Sequence, residues 1–183
     1  MQRMHVILVV LIGAFTATGS LFSQKTEVVP RFHVDLSDVS WWASSQYPES
    51  LRRVYRYKAL IGGGRPGVIP EEDVLMGVLE IAPGAIYPAH AHPAPEIYYV
   101  MSGSVKWTVG SDTFIAVPGT AIYHAPNTLH RMINTGDDVA RMVYFWWAPR
   151  GDRQVLQIGS KLLEAMPEEP AKAKFPDGQW PHK

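Results

Sequence analysis

The sequence contains no cysteine, and it has no excess of charge of either sign. The first absence excludes disulfide bonds, thiolate metal ligands and cysteine nucleophiles, but it does not decide the compartment. Lys and Arg total 17, as do Asp and Glu. A nucleic-acid-binding surface would show a basic excess, so nucleic acid is not an expected partner.

Long hydrophobic runs are also missing. The apolar stretch at residues 6–15 is shorter than the roughly 20 residues that cross a bilayer. It follows a short basic start that contains Arg3, and small residues come after it, which is the pattern of an export signal. We predict a signal peptide over residues 1–23, cleaved after Ser20 or Ser23, and a periplasmic or secreted mature protein. Membrane attachment would then require an uncleaved signal.

The remaining chain is long enough for one globular domain with extensions, since it has 183 residues with 46% hydrophobic content. Apolar residues at helical spacing over 51–61 predict a short helix in an N-terminal helical extension, 24–70. A glycine-rich joint at 62–67 ends it. A barrel over 71–150 and a C-terminal segment over 151–183, with a helix at 154–165 and an irregular tail, complete the predicted organisation.

The central part of the chain reads as all-β. Short strand-forming runs alternate with turns rich in Gly, Pro, Asn and Asp every 8–12 residues, which is typical of a barrel. Gly103 and Gly110 mark two hairpin turns. The predicted strands are 74–81, 96–101, 105–109, 114–117, 121–124, 129–133 and 140–148.

Three histidines and one glutamate have the spacing of a mononuclear metal site. His90 and His92 are two residues apart, so an extended backbone points both side chains the same way. Glu96 opens the next strand, and antiparallel pairing can bring His130 alongside. Imidazole and carboxylate ligands suit one Fe(II), Mn, Zn, Ni or Co ion, with a coordination position left open for water or substrate.

Further residues complete two known motifs. Gly84 precedes His90 by six, Gly103 follows Glu96 by seven, and Asn134 follows His130 by four. This pattern resembles both cupin motifs, and the resemblance implies a single double-stranded β-helix, or jelly-roll, barrel. Asn127 stands where a glycine is frequent in that family, but Asn tolerates the left-handed backbone such a turn requires.

Tyr98 shares strand parity with Glu96 and should therefore point into the barrel beside the metal. A nearby metal favours the phenolate and lowers the pKa of a phenol, which would make Tyr98 a usable general base. The alternative is a buried tyrosine whose hydroxyl is satisfied by a neighbour.

Within the cupins, the sequence resembles the dimethylsulfoniopropionate (DMSP) lyases. The features that carry the resemblance are Tyr98 two residues after Glu96, Tyr87 five before His92, and Trp107 after the motif glycine. It implies that His90, His92, Glu96 and His130 hold the metal. It also implies that Tyr98 is the base, with or without a bond to the metal. Tyr87 would be a second active-site tyrosine, although strand parity places it opposite His90 unless Pro88 breaks the alternation.

The implied reaction is a β-elimination on a small carboxylate that carries a sulfonium. Metal-bound carboxylate oxygens acidify the adjacent CH₂, a phenolate removes the proton, and dimethyl sulfide leaves acrylate behind. Aromatic faces suit the sulfonium. The candidates for this role are Trp107, Tyr123 and one of the neighbours Trp146 and Trp147, of which at most one faces inward.

Two other enzymatic or binding roles are compatible with the same motif. One is an Fe(II)-dependent dioxygenase, and the other is a periplasmic ligand-binding cupin without catalysis. Near the second motif, His124 is either a donor to the site or a solvent-facing residue at a strand end, and Arg131 should face outward because it adjoins His130. Barrels with exposed edges frequently dimerise, so a homodimer is a further prediction.

Overall fold

The computed structural model describes residues 32–63, 68–165 and 174–178, all of which belong to one compact unit. The predicted signal peptide lies outside these residues. The described chain is mostly β-strand, and its strands form two antiparallel five-stranded sheets that face each other across the core. The predicted all-β fold is therefore confirmed.

The strands of the first sheet are Tyr55–Ile61 (β1), Val74–Ile81 (β2), Glu96–Ser102 (β4), Ala121–His124 (β7) and Ala140–Trp147 (β9). They lie in the order β1-β2-β9-β4-β7. The central strand β9 pairs with β2 on one side and β4 on the other. Side chains of β4 alternate between buried and exposed over most of its length, because one face of the sheet lies on the core and the other on solvent.

The second sheet has the order β10-β3-β8-β5-β6. Its strands are Ile86–Ala91 (β3), Val105–Val109 (β5), Asp112–Ala116 (β6), His130–Asn134 (β8) and Lys161–Leu162 (β10). The hairpin between β5 and β6 turns at Gly110, as the sequence predicts. Seven predicted strands thus match observed ones, with bounds that differ by two residues at most.

The predicted helix over residues 51–61 is wrong. Only Glu49–Arg52 (α1) is helical, and Tyr55–Ile61 is an edge strand paired along its length with β2. Its apolar residues satisfy a helical spacing in isolation, but hydrogen bonding to β2 decides the conformation. The barrel consequently begins at residue 55 rather than 71.

The predicted helix over 154–165 is also shorter than expected. Gln154–Gln157 (α2) forms a single turn, and the chain then extends so that Lys161–Leu162 pairs with β3. Further along, Phe175 is buried in the main core and Asp177 binds Arg56 of β1. The C-terminal part of the described chain therefore contributes to the barrel.

The helices in the described ranges are all too short to cross a membrane. Apolar side chains instead lie on the outer face of the first sheet, where Ile97 and Tyr99 of β4 and Tyr123 of β7 are exposed.

Candidate metal centre

The candidate ligands come from three strands and the segment that joins two of them, all at one end of the barrel. His90 of β3 is the register partner of His130 of β8 in the second sheet. Glu96 of β4 is flanked in the first sheet by His124 of β7. Because each of these side chains is buried, the pairing directs all of them into the interior between the sheets.

One group of ligand atoms is tightly clustered. A nitrogen or oxygen atom from each of His92, Glu96, His124 and His130 lies within 4.8 Å of one from every other member. His90 is outside this group, but its ring centroid is 3.9 Å from that of His130. The structure thus brings the four predicted ligands to one place and adds a fifth residue, His124.

The Nδ1 atoms of three histidines are occupied by backbone carbonyls. His90 Nδ1 donates to Pro88 O at 2.9 Å, His92 Nδ1 to Ala94 O at 2.7 Å, and His130 Nδ1 to Thr128 O at 2.8 Å. A neutral imidazole has one donor and one acceptor nitrogen. Each Nε2 therefore carries a lone pair, and hydrogen bonds of this kind orient metal-binding histidines in proteins.

These lone pairs need a cation. His130 Nε2 is buried without a hydrogen-bond partner. His92 Nε2 lies 3.0 Å from Glu96 Oε2, so two acceptor atoms face each other unless a proton or a metal is shared between them. Buried acceptors without a donor are costly. The donor set therefore fits one divalent metal ion, and the cluster can bind it.

The charges of the cluster agree with this interpretation. Burial lowers the pKa of His90 to about 3 and that of His130 to about 2, which keeps both rings neutral and able to ligate. Burial alone would raise the pKa of Glu96, but the hydrogen bond from His124 and the close contact with the His92 ring outweigh it, so that pKa lies well below its ordinary value. Glu96 is therefore an anion within the barrel.

Tyr98 points inward, as strand parity predicts. It is buried, and its hydroxyl lies near the Glu96 carboxylate. Burial, followed by the charge of Glu96, raises the pKa of Tyr98 well above its ordinary value. Tyr98 is therefore a phenol in this structure.

Tyr87 also reaches the site, because β3 is irregular. The register between β3 and β8 shifts between Tyr87 and His90, so both side chains are buried although they are three residues apart. The Tyr87 hydroxyl bonds to that of Tyr47 at 2.8 Å. The alternation of side chains is therefore broken between Tyr87 and His90, which is the condition for Tyr87 to face the site.

The three predicted substrate-binding aromatics have different positions. Trp146 lies against the site: its ring stacks on His92 with centroids 4.1 Å apart, and its indole N–H donates to Glu96 Oε1. Trp107 is in the core, where its indole N–H donates to His124 Nε2 at 3.0 Å. Tyr123 is 56% exposed on the outer face, stacked on Trp147.

Tyr123 therefore does not line the interior, contrary to the expectation from sequence. Its neighbour His124 faces inward, and successive strand residues point to opposite faces. His124 is fully buried and donates to Glu96, so it is not a solvent-facing residue. Arg131 faces away from the cluster, as predicted, and binds Glu164 at 2.9 Å.

A cavity of about 270 Å³ opens beside the cluster. His90, Glu96 and Tyr98 form part of its wall, and many of the other lining side chains are aromatic. Segments from outside the barrel, near Tyr47 and Ser160, also line it. No Lys or Arg is among the described residues that line it. The aromatic lining residues are Trp42, Tyr47, Tyr55, Tyr57, Tyr87, Tyr98, Tyr144 and Trp146.

Residues 77–147 of this chain match the family model of the cupin domain. The chain carries a cupin domain. The two antiparallel sheets form the cupin jelly-roll, and Asn127 has the left-handed backbone (φ 60°) that the family turn requires.

One relative of this cupin is a proposed DMSP lyase. A proposed DMSP lyase, DddL, from Cereibacter sphaeroides is 30% identical over 141 residues, which cover 76% of this chain and 56% of the relative. The chain thus spans little more than half the length of that protein. In sequence, the cupin resembles DMSP lyases.

Solved structures agree on the fold. The DMSP lyase DddQ from Ruegeria pomeroyi DSS-3 superimposes with a TM-score of 0.58 at 24% identity, covering 69% of this chain and 62% of that one. The polyketide cyclase RemF from Streptomyces resistomycificus gives 0.57 at 17% identity, covering 76% and 89%. Because a polyketide cyclase superimposes as well as a DMSP lyase does, the structural similarity establishes the fold and not the activity.

Proposed function

We propose that this cupin is a metal-dependent carbon–sulfur lyase that cleaves DMSP, or a similar small carboxylate with a sulfonium group, into acrylate and dimethyl sulfide. The observation that carries the proposal is the Tyr98 phenol, which lies beside Glu96 of a buried cluster of candidate metal ligands at the wall of an aromatic cavity. The 30% identity to a proposed DMSP lyase supports the same reaction.

The cavity suits a substrate of this charge distribution. Its described lining combines eight aromatic side chains with one carboxylate and no Lys or Arg. A sulfonium is stabilised by aromatic faces, which attract cations through the ring quadrupole. The substrate carboxylate finds no basic side chain among these lining residues, so a divalent cation held by the cluster would be its positive partner.

The substrate-binding roles follow from this geometry. Trp146 is placed to contact the substrate, since it lies on His92 and lines the cavity. Tyr87 lines the same wall beside His90. Trp107 is too deep to contact a ligand in the cavity, and its role is to hold His124.

Tyr98 is the proposed general base. A divalent cation, held by His90, His92, Glu96 and His130, supplies two effects when bound: it acidifies the CH₂ beside a substrate carboxylate, and its charge counters that of Glu96, which favours the Tyr98 phenolate. The phenolate oxygen takes a proton from that CH₂. The C–H electron pair forms the new C=C bond, and the C–S pair leaves with neutral dimethyl sulfide. Tyr98 holds the proton until acrylate departs.

No oxidation occurs in this sequence of steps, so any Lewis-acidic divalent metal among Fe, Mn, Zn, Ni and Co is suitable. The experiment is headspace gas chromatography for dimethyl sulfide from purified protein and DMSP, with and without a chelator. We expect dimethyl sulfide and equimolar acrylate from metal-replete protein and neither after chelation. Absence of dimethyl sulfide from metal-replete protein would refute the lyase proposal.

The same assay separates the two alternatives. A lyase continues under anaerobic conditions, whereas an Fe(II)-dependent dioxygenase stops without O₂. A ligand-binding cupin would yield no product in either atmosphere but would still bind DMSP in calorimetry.

A periplasmic or secreted location and a homodimer also belong to this proposal. The first is supported by the signal-like residues 1–23, and the second by the exposed apolar side chains of β4 and β7. Cell fractionation and analytical ultracentrifugation test them separately.

A further inference from the structure

The Glu96 carboxylate is held at both oxygens by N–H groups from neighbouring strands. His124 Nδ1 lies 3.0 Å from Oε2, and the Trp146 indole N–H donates to Oε1. The register explains this arrangement: within the first sheet, Glu96 is the direct partner of His124 on one side and of Trp146 on the other. Cross-strand pairing alone therefore places a donor on each side of the carboxylate.

The ring of His124 is turned the opposite way from the rings of the other site histidines, because its Nδ1 rather than its Nε2 faces the cluster. Trp107 Nε1 lies 3.0 Å from His124 Nε2, and an indole N–H can only donate. His124 Nε2 must therefore accept, which leaves the ring proton on Nδ1, where it points at Glu96. In His90, His92 and His130 the Nδ1 proton is directed to a backbone carbonyl, which leaves the lone pair on Nε2.

A histidine in this state is a poor metal ligand. Nε2 is occupied by Trp107, and Nδ1 carries a proton that is directed to Glu96 Oε2. His124 is nevertheless close enough to be grouped with the ligands, since its nitrogen lies within 4.8 Å of theirs. Proximity alone therefore does not distinguish a ligand from a residue that orients one, whereas the hydrogen-bond pattern does.

We infer that His124 is a positioning residue: Trp107 fixes its tautomer, and its Nδ1–H fixes the Glu96 carboxylate for metal binding. The metal ligands are then His90, His92, Glu96 and His130. The inference rests on metal binding at the cluster, not on the identity of the substrate. It is tested without substrate, so its failure is distinguishable from failure of the lyase proposal.

Two substitutions at His124 distinguish the roles. Asn places an amide N–H near the position of Nδ1, so His124→Asn retains the donor to Glu96 but removes the imidazole. His124→Leu removes both. With Co²⁺ as the probe, we expect His124→Asn to bind within about threefold of wild type. We expect His124→Leu to bind about 10–100-fold more weakly, the usual effect of losing a residue that orients a metal ligand.

X-ray absorption spectroscopy of the Co²⁺-loaded proteins counts the imidazole ligands. We expect the same number in wild type and His124→Asn, and one fewer in His90→Asn. Loss of an imidazole in His124→Asn would overturn the inference, and so would unchanged Co²⁺ affinity in His124→Leu. Circular dichroism and urea unfolding establish that each variant is folded.

Nitrogen-15 NMR of the wild-type protein provides a test that does not depend on any variant. We expect the proton of His124 on Nδ1, and a proton on Nε2 in its place would overturn the inference. Trp107→Phe removes the donor and should disturb the His124 tautomer. The matched control Trp147→Phe alters a tryptophan stacked on the outer Tyr123 and should leave the tautomer unchanged.

Discussion

The rings of Tyr87 and His90 lie 4.0 Å apart between centroids, and both side chains of β3 are buried. Three residue steps in a regular strand would place them on opposite faces. The register shift between them adds the residue that brings both inward, and it joins a hydroxyl to the wall of the metal site. The irregularity at Pro88 is thus part of how the site is assembled.

Tyr87→Phe should leave the site intact but lower turnover. The substitution removes the hydrogen bond to Tyr47, which costs about 0.5–1.5 kcal/mol of unfolding free energy. Tyr47→Phe is the matched control, because it breaks the same bond from the other side. If Tyr87 contacts the substrate, Tyr87→Phe reduces kcat/KM for DMSP more than Tyr47→Phe does at a similar loss of stability in urea. Equal kinetic effects would limit Tyr87 to a structural role.

Tyr98→Phe should abolish dimethyl sulfide production. Removal of a general base typically costs about 10²–10⁴-fold in rate, so turnover should fall by that factor. Metal content, measured by inductively coupled plasma mass spectrometry, should stay near the wild-type value unless the phenol is itself a ligand. Residual activity above a tenth of wild type would exclude Tyr98 as the base.

Part of this site can be predicted from sequence alone. The spacing of His90, His92 and Glu96 depends on strand geometry, which is local, and the second motif adds His130 to them. Tyr98 follows by parity with Glu96. Alternation along the strand also indicates that only one of the neighbours Tyr123 and His124 faces the core.

Other features depend on tertiary partners. Residues 55–61 form a strand because β2 supplies hydrogen-bond partners, while their spacing also fits a helix. Trp107 and Trp146 are both inward aromatics of strands, and only the depth of the cavity separates a core residue from a wall residue. The role of His124 requires knowing that an indole lies beside its Nε2. No periodicity in the sequence contains that information.

The two motif glycines should differ in their sensitivity to substitution. Gly103 has φ +88°, and a Cβ there would lie 2.7 Å from the Cα of Ala140. Gly84 has φ +68°, and a Cβ added to it would meet nothing within 4 Å. Gly84→Ala should therefore cost only the left-handed backbone penalty of about 1–2 kcal/mol, and Gly103→Ala should cost more in urea unfolding. Equal costs would mean that β9 shifts to relieve the contact.

Arg56 should be among the most sensitive charged residues outside the site. Its guanidinium lies over the rings of Trp41 and Phe175, 4.2 and 3.9 Å from their centroids. It also donates to buried Glu80 at 2.8 Å and to Asp177 at 3.0 and 2.7 Å. Arg56→Met leaves Glu80 with less compensation and should cost about 3–5 kcal/mol of unfolding free energy.

The control for Arg56 is Arg153→Met. Arg153 forms an exposed ion pair with Asp73, and solvent screens such a pair, so its loss should change the free energy of unfolding little. Arg56→Lys keeps the positive charge but loses the planar guanidinium and its stacking on the rings. Its loss of unfolding free energy should therefore lie between those of Arg56→Met and Arg153→Met. Urea unfolding of the three variants measures the order, and a loss in Arg56→Met no larger than in Arg153→Met would contradict it.

Metal-free protein should lose stability as the pH falls from about 7 to about 5. Burial lowers the pKa of His90 to about 3 and of His130 to about 2 in the folded state, whereas an unfolded histidine titrates near about 6.5. Below about pH 6.5 the unfolded chain therefore binds more protons, and the free energy of unfolding falls by up to about 1.4 kcal/mol per pH unit for each ring.

Glu96 affects stability over a lower pH range than His90 and His130 do, so the two contributions to the free energy of unfolding can be measured separately. Its pKa is lowered by folding, so its stabilisation is lost only as the pH drops below the ordinary glutamate value of about 4.3. Urea unfolding in chelator at about pH 7, 6 and 5 therefore reports the histidines. His130→Asn should show a shallower dependence than wild type, while His33→Asn, at an exposed position, serves as the control. An unchanged slope in His130→Asn would show that this ring does not resist protonation in the fold.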